Sequence, residues 1–130
     1  MAIRVVRLGE PRGKDEGVRL GTVRRPPRGV PKADFSKRDF FDAWLPELSP
    51  SPELVAWAQK SAWTDPRWRE FGRKYRREMS VPQPRHLIDA LAVLSHQTNF
   101  AVGCYCEDAT RCHRAVLREL LVEAGADVAR

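Results

Sequence analysis

The chain has 130 residues, 42% of them apolar and 31% charged, with a net charge of +6. That composition is ordinary for a globular domain and predicts one domain over residues 1–130 with enough apolar content for a core of its own. No apolar run approaches the roughly 18 residues needed to span a bilayer, and the N-terminus, MAIRVVRLG, lacks the apolar segment of a signal peptide. The expectation is a cytoplasmic protein with no membrane partner.

Three cysteines, Cys104, Cys106 and Cys112, are an odd number for a disulfide framework, and in a reducing compartment they are expected as free thiols. The charge is uneven. Residues 1–38 carry +7, residues 39–60 carry −3 and the remainder +2. A basic N-terminal third suits a phosphorylated ligand or a nucleic acid.

Ile3–Leu8 is β-branched and apolar and reads as a strand. Gly9–Gly17 is turn-like, and Val18–Val23 alternates enough to be a second strand. Arg24–Arg38 holds three prolines and six Lys/Arg against one Asp, which predicts a stiff, basic, extended loop. Phe40, Phe41, Trp44, Leu45 and Leu48 suggest a short helical turn. Ser51, Pro52 and Glu53 form a helix start, with the cap, the first-turn proline and the acid that favour one.

A second helix begins at Asp65-Pro66 and places Trp68, Phe71, Tyr75 and Met79 on one face. Its other face carries Arg67, Arg69, Arg73, Lys74, Arg76 and Arg77. Such a stripe beside a basic face can stack single-stranded bases, although aromatic residues at this spacing more often fill a core. Leu87, Ile88, Leu91, Ala92 and Leu94 predict a helix over about 85–96, set off by Pro82 and Pro84. Phe100–Cys104 reads as a buried strand and Cys112–Ala124 as a helix capped by Gly125; Asp127-Val128 could begin a last strand.

Chemistry concentrates in CYCEDATRCHR, residues 104–114, between that strand and that helix. Three readings are open. Cys104, Cys106, Cys112 and His113 are zinc-type ligands, yet neighbours at a helix start point about 100° apart, so Cys112 and His113 do not readily meet one ion. Cys112 at a helix N-terminus, or Cys106 followed five residues later by Arg111, could be a reactive thiolate with His113 as base. Glu107 and Asp108 oppose activation of Cys106. Alternatively, free N–H groups at the helix start, with Arg111 and Arg114, bind an anion. A nucleic-acid module using the 24–38 loop and the Arg67–Arg77 face is a further class.

GCYCEDATRCHRAVLRELL resembles the C-terminal signature of the domain of unknown function 488 family, with its Cys-His-Arg triplet. RRPPRGVPKADF is similar to the Pro-Arg-Gly-Val-x-Lys loop of the YeaO-like subgroup, and WLPELSPSPELVAW and RWREFGRKYRREM resemble two further segments of it. The likeness spans about residues 19–123. Val23 and Pro26 depart from it, standing where the subgroup usually has an acid and a Trp. The resemblance implies a compact α/β domain and no agreed reaction, and it ties Arg28 and Lys32 to the 112–114 triplet.

The combined expectation is an α/β fold, a small and mainly parallel sheet flanked by helices. A basic pocket at the end of the Phe100–Cys104 strand would take a phosphate- or carboxylate-bearing ligand through Arg28, Lys32, Arg111 and Arg114. The alternative is a Cys-dependent enzyme or redox protein using Cys112 or Cys106, with His113 as base. The pattern names no cofactor, leaves metal binding open, and does not fix the oligomeric state.

Overall fold

The computed structural model describes residues 1–129 and has four parallel strands in the order β1-β4-β2-β3. These are β1 (Ile3–Arg7), β2 (Val18–Gly21), β3 (Ala43–Trp44) and β4 (Phe100–Cys104). The helices are α1 (Pro52–Gln59), α2 (Asp65–Met79), α3 (Pro82–Leu94) and α4 (His113–Glu123). This is the α/β fold expected from the sequence, with every strand pair parallel.

β4 lies in the middle because it can be buried on both faces. FAVGC has no charged side chain and all five residues are buried, as parallel central strands require. Val102 stands between Val5 of β1 and Leu20 of β2. Gly103 allows the close approach on one side, since a Cβ there would sit 2.6 Å from the Val6 carbonyl oxygen. Past the strand ends the ladder continues, with Thr22 N donating to Gly103 O and Leu8 N to Cys104 O.

The main core gathers Ile3, Phe100 and Val102 of the sheet with Phe71, Tyr75, Ile88, Leu117 and Leu121 of the helices. A smaller cluster, Leu8, Val23, Phe41, Cys104 and Cys112, closes the carboxyl end of the sheet. Two of the three cysteines are therefore core side chains, a role that suits a small apolar thiol.

Three local expectations change. The Phe40–Leu48 segment is not a helical turn. It pairs Ala43 and Trp44 with Leu20 and Gly21 as β3, and only Pro46–Leu48 turns as 3-10 helix. The sheet edge offered by β2 outweighs the weak helical spacing of these apolar residues. Next, α3 starts at Pro82 rather than near Arg85, because both prolines occupy the first turn, whose N–H groups have no intrahelical acceptor. Last, Asp127-Val128 forms only a bridge, with Val128 opposite Ile3.

The α1 start follows its sequence signal. Ser51 Oγ accepts a hydrogen bond from Leu54 N at 3.1 Å, and Glu78 of α2 accepts one from Ser51 N at 2.8 Å. Ser51→Ala should lower stability by about 1 kcal/mol, the usual worth of such a cap, read as a lower urea midpoint at unchanged slope. Among the described residues no helix is long and apolar enough to cross a membrane.

Candidate functional site

In open parallel sheets ligands bind beyond the carboxyl ends of the strands. Here a cleft of about 860 Å³ opens at the ends of β2 and β4. The segment after β2 supplies Val23 to Arg28, α1 supplies one wall, and Cys104, Tyr105, Cys106 and His113 form the floor and far side. Among the described residues no acid lines it. The Tyr105 hydroxyl donates to the Arg25 carbonyl at 3.1 Å, joining the two rims.

The arginines of the near rim differ in duty. Arg24 is structural, with its guanidinium donating to the Ser49 and Pro50 carbonyls. Arg25 and Arg28 are exposed. Among the described residues neither guanidinium has a hydrogen-bond or ion-pair partner.

Below the rim lie three sulfurs. The Sγ atoms of Cys104, Cys106 and Cys112 are all within 4.8 Å of one another. Cys104 and Cys112 are buried and Cys106 is exposed, and all three are free. Cys104 Sγ and Cys112 Sγ are 2.8 Å apart. Two thiolates on one tetrahedral zinc, at the usual Zn–S length, stand about 3.8 Å apart, so the buried pair is tighter than a zinc site. Those three thiols remain the donor set a soft cation would meet here.

The trio is electrostatically asymmetric. The neighbouring Cys104 and Cys112 thiols, with sulfurs within 4.8 Å, draw Cys106 below the ordinary thiol range, against the desolvation that would raise it. Arg114 adds positive charge. The two neighbours move the other way. Cys104 is pushed up to about 11, chiefly by its bond to Cys106, and Cys112 is pushed up by both sulfurs and by burial. The cluster thus favours one thiolate, at the exposed position, held by two buried thiols.

His113 is fixed from β2. Its Nε2 lies 2.7 Å from the Thr22 carbonyl oxygen, which can only accept, so Nε2 carries the proton. Nδ1 is then a bare acceptor, 3.6 Å from Cys112 Sγ. Burial lowers this imidazole to about 4, so it is neutral at physiological pH. The ring faces Tyr75, whose centroid is 5.7 Å away. His113 is therefore placed to take a proton from Cys112 and does not carry a fixed charge.

A family model described as the active DUF488-N3 subclade, DUF488-N3a, matches residues 3–125. The chain belongs to this family. The match bears out the likeness read from the Cys-His-Arg triplet. No curated protein and no solved structure matches the chain.

In this DUF488-N3a domain the residues singled out from sequence fall into two groups. Arg28, Cys106 and His113 line one cleft, and Cys112 lies beneath it. Lys32, in the 3-10 turn Lys32–Asp34, is exposed but does not line that cleft. Arg111 points elsewhere, bonding Asp65 at 2.7 Å and lying over the Trp68 ring. Arg114 is 4% exposed and turns under the sheet end, donating to the Val6 and Cys106 carbonyls. Its Nε has no partner and no carboxylate pairs with it among the described residues.

Sequence reasoning missed Thr22, Arg25 and Tyr75. Thr22 meets His113 through its backbone carbonyl, which no side-chain pattern signals. Nothing in the sequence separates Arg25 from its neighbours.

The stripe on α2 is core: Phe71, Tyr75 and Met79 are buried and present no stacking surface for a base. Arg67 is enclosed by Trp57 and Trp63, and Arg76 binds Glu119 and Glu123. The basic face of α2 is largely committed within the fold.

Proposed function

We propose that this protein is a thiol-dependent enzyme that receives a small anionic substrate in the Arg25–Arg28 cleft and attacks it with Cys106. One observation carries the reading: the single exposed thiol of the three opens onto a cleft lined by arginines and no acid, with two buried thiols behind it. A thiolate is the nucleophilic form of cysteine, and donated hydrogen bonds with nearby positive charge are what keep it ionised. Arg114 supports this from beneath. It is a buried cation without a carboxylate, and it binds the Cys106 carbonyl. Arg25 and Arg28 would orient a phosphate or carboxylate in the forked geometry that guanidinium favours.

The description of the matched subclade as active is in keeping with an enzyme. Three free thiols suit a reducing compartment, and we place the protein in the cytoplasm on that ground.

The test combines binding and reactivity. Phosphate or sulfate should raise the melting temperature and slow iodoacetamide labelling of Cys106. The Arg25→Ala/Arg28→Ala double variant should lose both effects while keeping its own labelling rate. A wild-type protein indifferent to both anions in both measurements would remove the anionic-substrate reading.

A further inference from the structure

Two thiols behind a nucleophile are more than hydrogen bonding requires, since hydroxyl groups would donate equally well. Cys104 and Cys112 are 1% and 3% exposed, so the exposed Cys106 is the thiol a substrate meets first. Their sulfurs are 2.8 Å apart, and each lies within 4.8 Å of the exposed Cys106. Any oxidising equivalent that arrives must therefore enter through Cys106 and can then pass inward.

We infer that the three cysteines form a disulfide-exchange relay whose substrate is a small disulfide bearing carboxylates. This rests on Cys106 being the nucleophile of the cleft. The Cys106 thiolate attacks one substrate sulfur, the substrate S–S bond breaks, and one half leaves as a thiolate. Cys106 now carries the other half as a mixed disulfide. Cys104, giving up its proton, attacks Cys106 Sγ and expels that second half, forming a Cys104–Cys106 disulfide. Cys112, giving up its proton in turn, attacks Cys104 Sγ. Cys106 leaves as a thiolate, and the bond comes to rest between Cys104 and Cys112. The two protons end on the two product thiols. Altogether one disulfide is reduced to two thiols while the buried pair is oxidised by two electrons. A dithiol reductant resets the pair by the reverse path through Cys106.

The direction follows from geometry. Cys104 and Cys112 hold the shortest sulfur–sulfur approach, 2.8 Å, and are buried, whereas Cys106 is exposed, so the bond that closes last lies between the buried pair and Cys106 is the thiolate expelled. His113 Nδ1, 3.6 Å from Cys112 Sγ, is placed to receive the last proton. The cleft suits the substrate class. Arg25 and Arg28 offer two free forks for carboxylates, and Pro26, Pro27, Phe40 and Tyr105 provide apolar wall.

The probe is glutathione disulfide, added to fully reduced full-length protein and followed by intact mass and peptide mapping. The wild type should lose two hydrogen masses, show a Cys104–Cys112 bond, and keep Cys106 open to alkylation. Cys104→Ser/Cys112→Ser should stop with one glutathionyl group on Cys106, and Cys112→Ser should stop at a Cys104–Cys106 bond. A wild type that accumulates the stable mixed disulfide on Cys106 would overturn the relay and leave Cys106 as the nucleophile. A wild type with no adduct and no loss of hydrogen, together with ordinary slow alkylation of Cys106, would overturn the relay and the thiolate reading together.

Discussion

Glu16→Gln should cost about 3–5 kcal/mol of stability, the range seen when one partner of a buried ion pair is removed. Glu16 and Arg19 are 3% and 1% exposed, and Arg19 Nε donates to Glu16 Oε2 at 2.6 Å. The guanidinium also serves the carbonyls of Glu10, Pro11 and Asp39. It therefore ties the 9–17 connection and the turn before β3 to strand β2. Without the carboxylate, Arg19 is a buried charge with only dipoles to balance it.

A loss of that size is a large share of the roughly 5–15 kcal/mol available to a domain of this length. It would appear as a lower urea midpoint with little change in slope. Glu70→Gln is the matched control, because its pair with Arg73 lies in water and its removal should leave the midpoint in place. A Glu16→Gln loss below about 1 kcal/mol would mean that the Glu10, Pro11 and Asp39 carbonyls balance the Arg19 charge without the carboxylate.

The same corner predicts acid sensitivity. Burial pushes the Asp42 carboxyl up, but hydrogen bonds from Arg12, Ser36 and the Arg19 N–H outweigh it and hold the group at about 2. Glu16 is also lowered, its burial offset by hydrogen bonds from Arg19 and the Gly13 N–H. A carboxyl lowered on folding stabilises above its unfolded value, about 4 here. That contribution is lost as pH falls from about 4 through the folded value, near 2 for Asp42.

What the sequence disclosed and what it hid divide along physical lines. Ser51-Pro52 and Asp65-Pro66 declare helix starts because capping and first-turn chemistry are local. Phe100–Cys104 declares itself a central strand because burial on both faces excludes charge. The segment around Ala43 and Trp44 hides its strand because the pairing depends on an edge more than twenty residues away. The four site cations show the same limit. Arg28, Lys32, Arg111 and Arg114 share loops or helix starts, yet Arg111 faces Asp65 and Arg114 turns inward to backbone carbonyls. A guanidinium beside a Cys-His pair serves a ligand or a peptide carbonyl with equal ease, and only the path of the neighbouring strand decides. The meeting of the three sulfurs depends likewise on the Tyr105–Arg111 loop folding back, which no residue spacing announces.

The largest functional effect should be the pH dependence of Cys106. Alkylation by iodoacetamide follows the thiolate fraction. Wild-type Cys106 should label at an almost constant rate from mildly acidic pH upward, with no rise near 8.5, the value of a free thiol. Cys104 and Cys112 should stay unlabelled across that range in the native state, being buried and raised. The cause is separable from exposure. Replacing both by alanine, Cys104→Ala/Cys112→Ala, removes the two neighbouring thiols that lead the stabilisation and leaves Cys106 on the same loop. Its profile should then acquire an inflection close to the free-thiol value. Labelling near pH 6 should fall at least about tenfold, because below its pKa a thiol loses a factor of ten in thiolate each time that pKa rises by one. Serine at the same two positions should restore most of the low-pH rate, because a hydroxyl still donates. A wild-type inflection at or above about 8.5, or an alanine double variant that labels like the wild type, would show that the buried thiols do not hold the Cys106 charge. In that event exposure alone would set its reactivity, and the arginine cleft would be a binding site without a nucleophile.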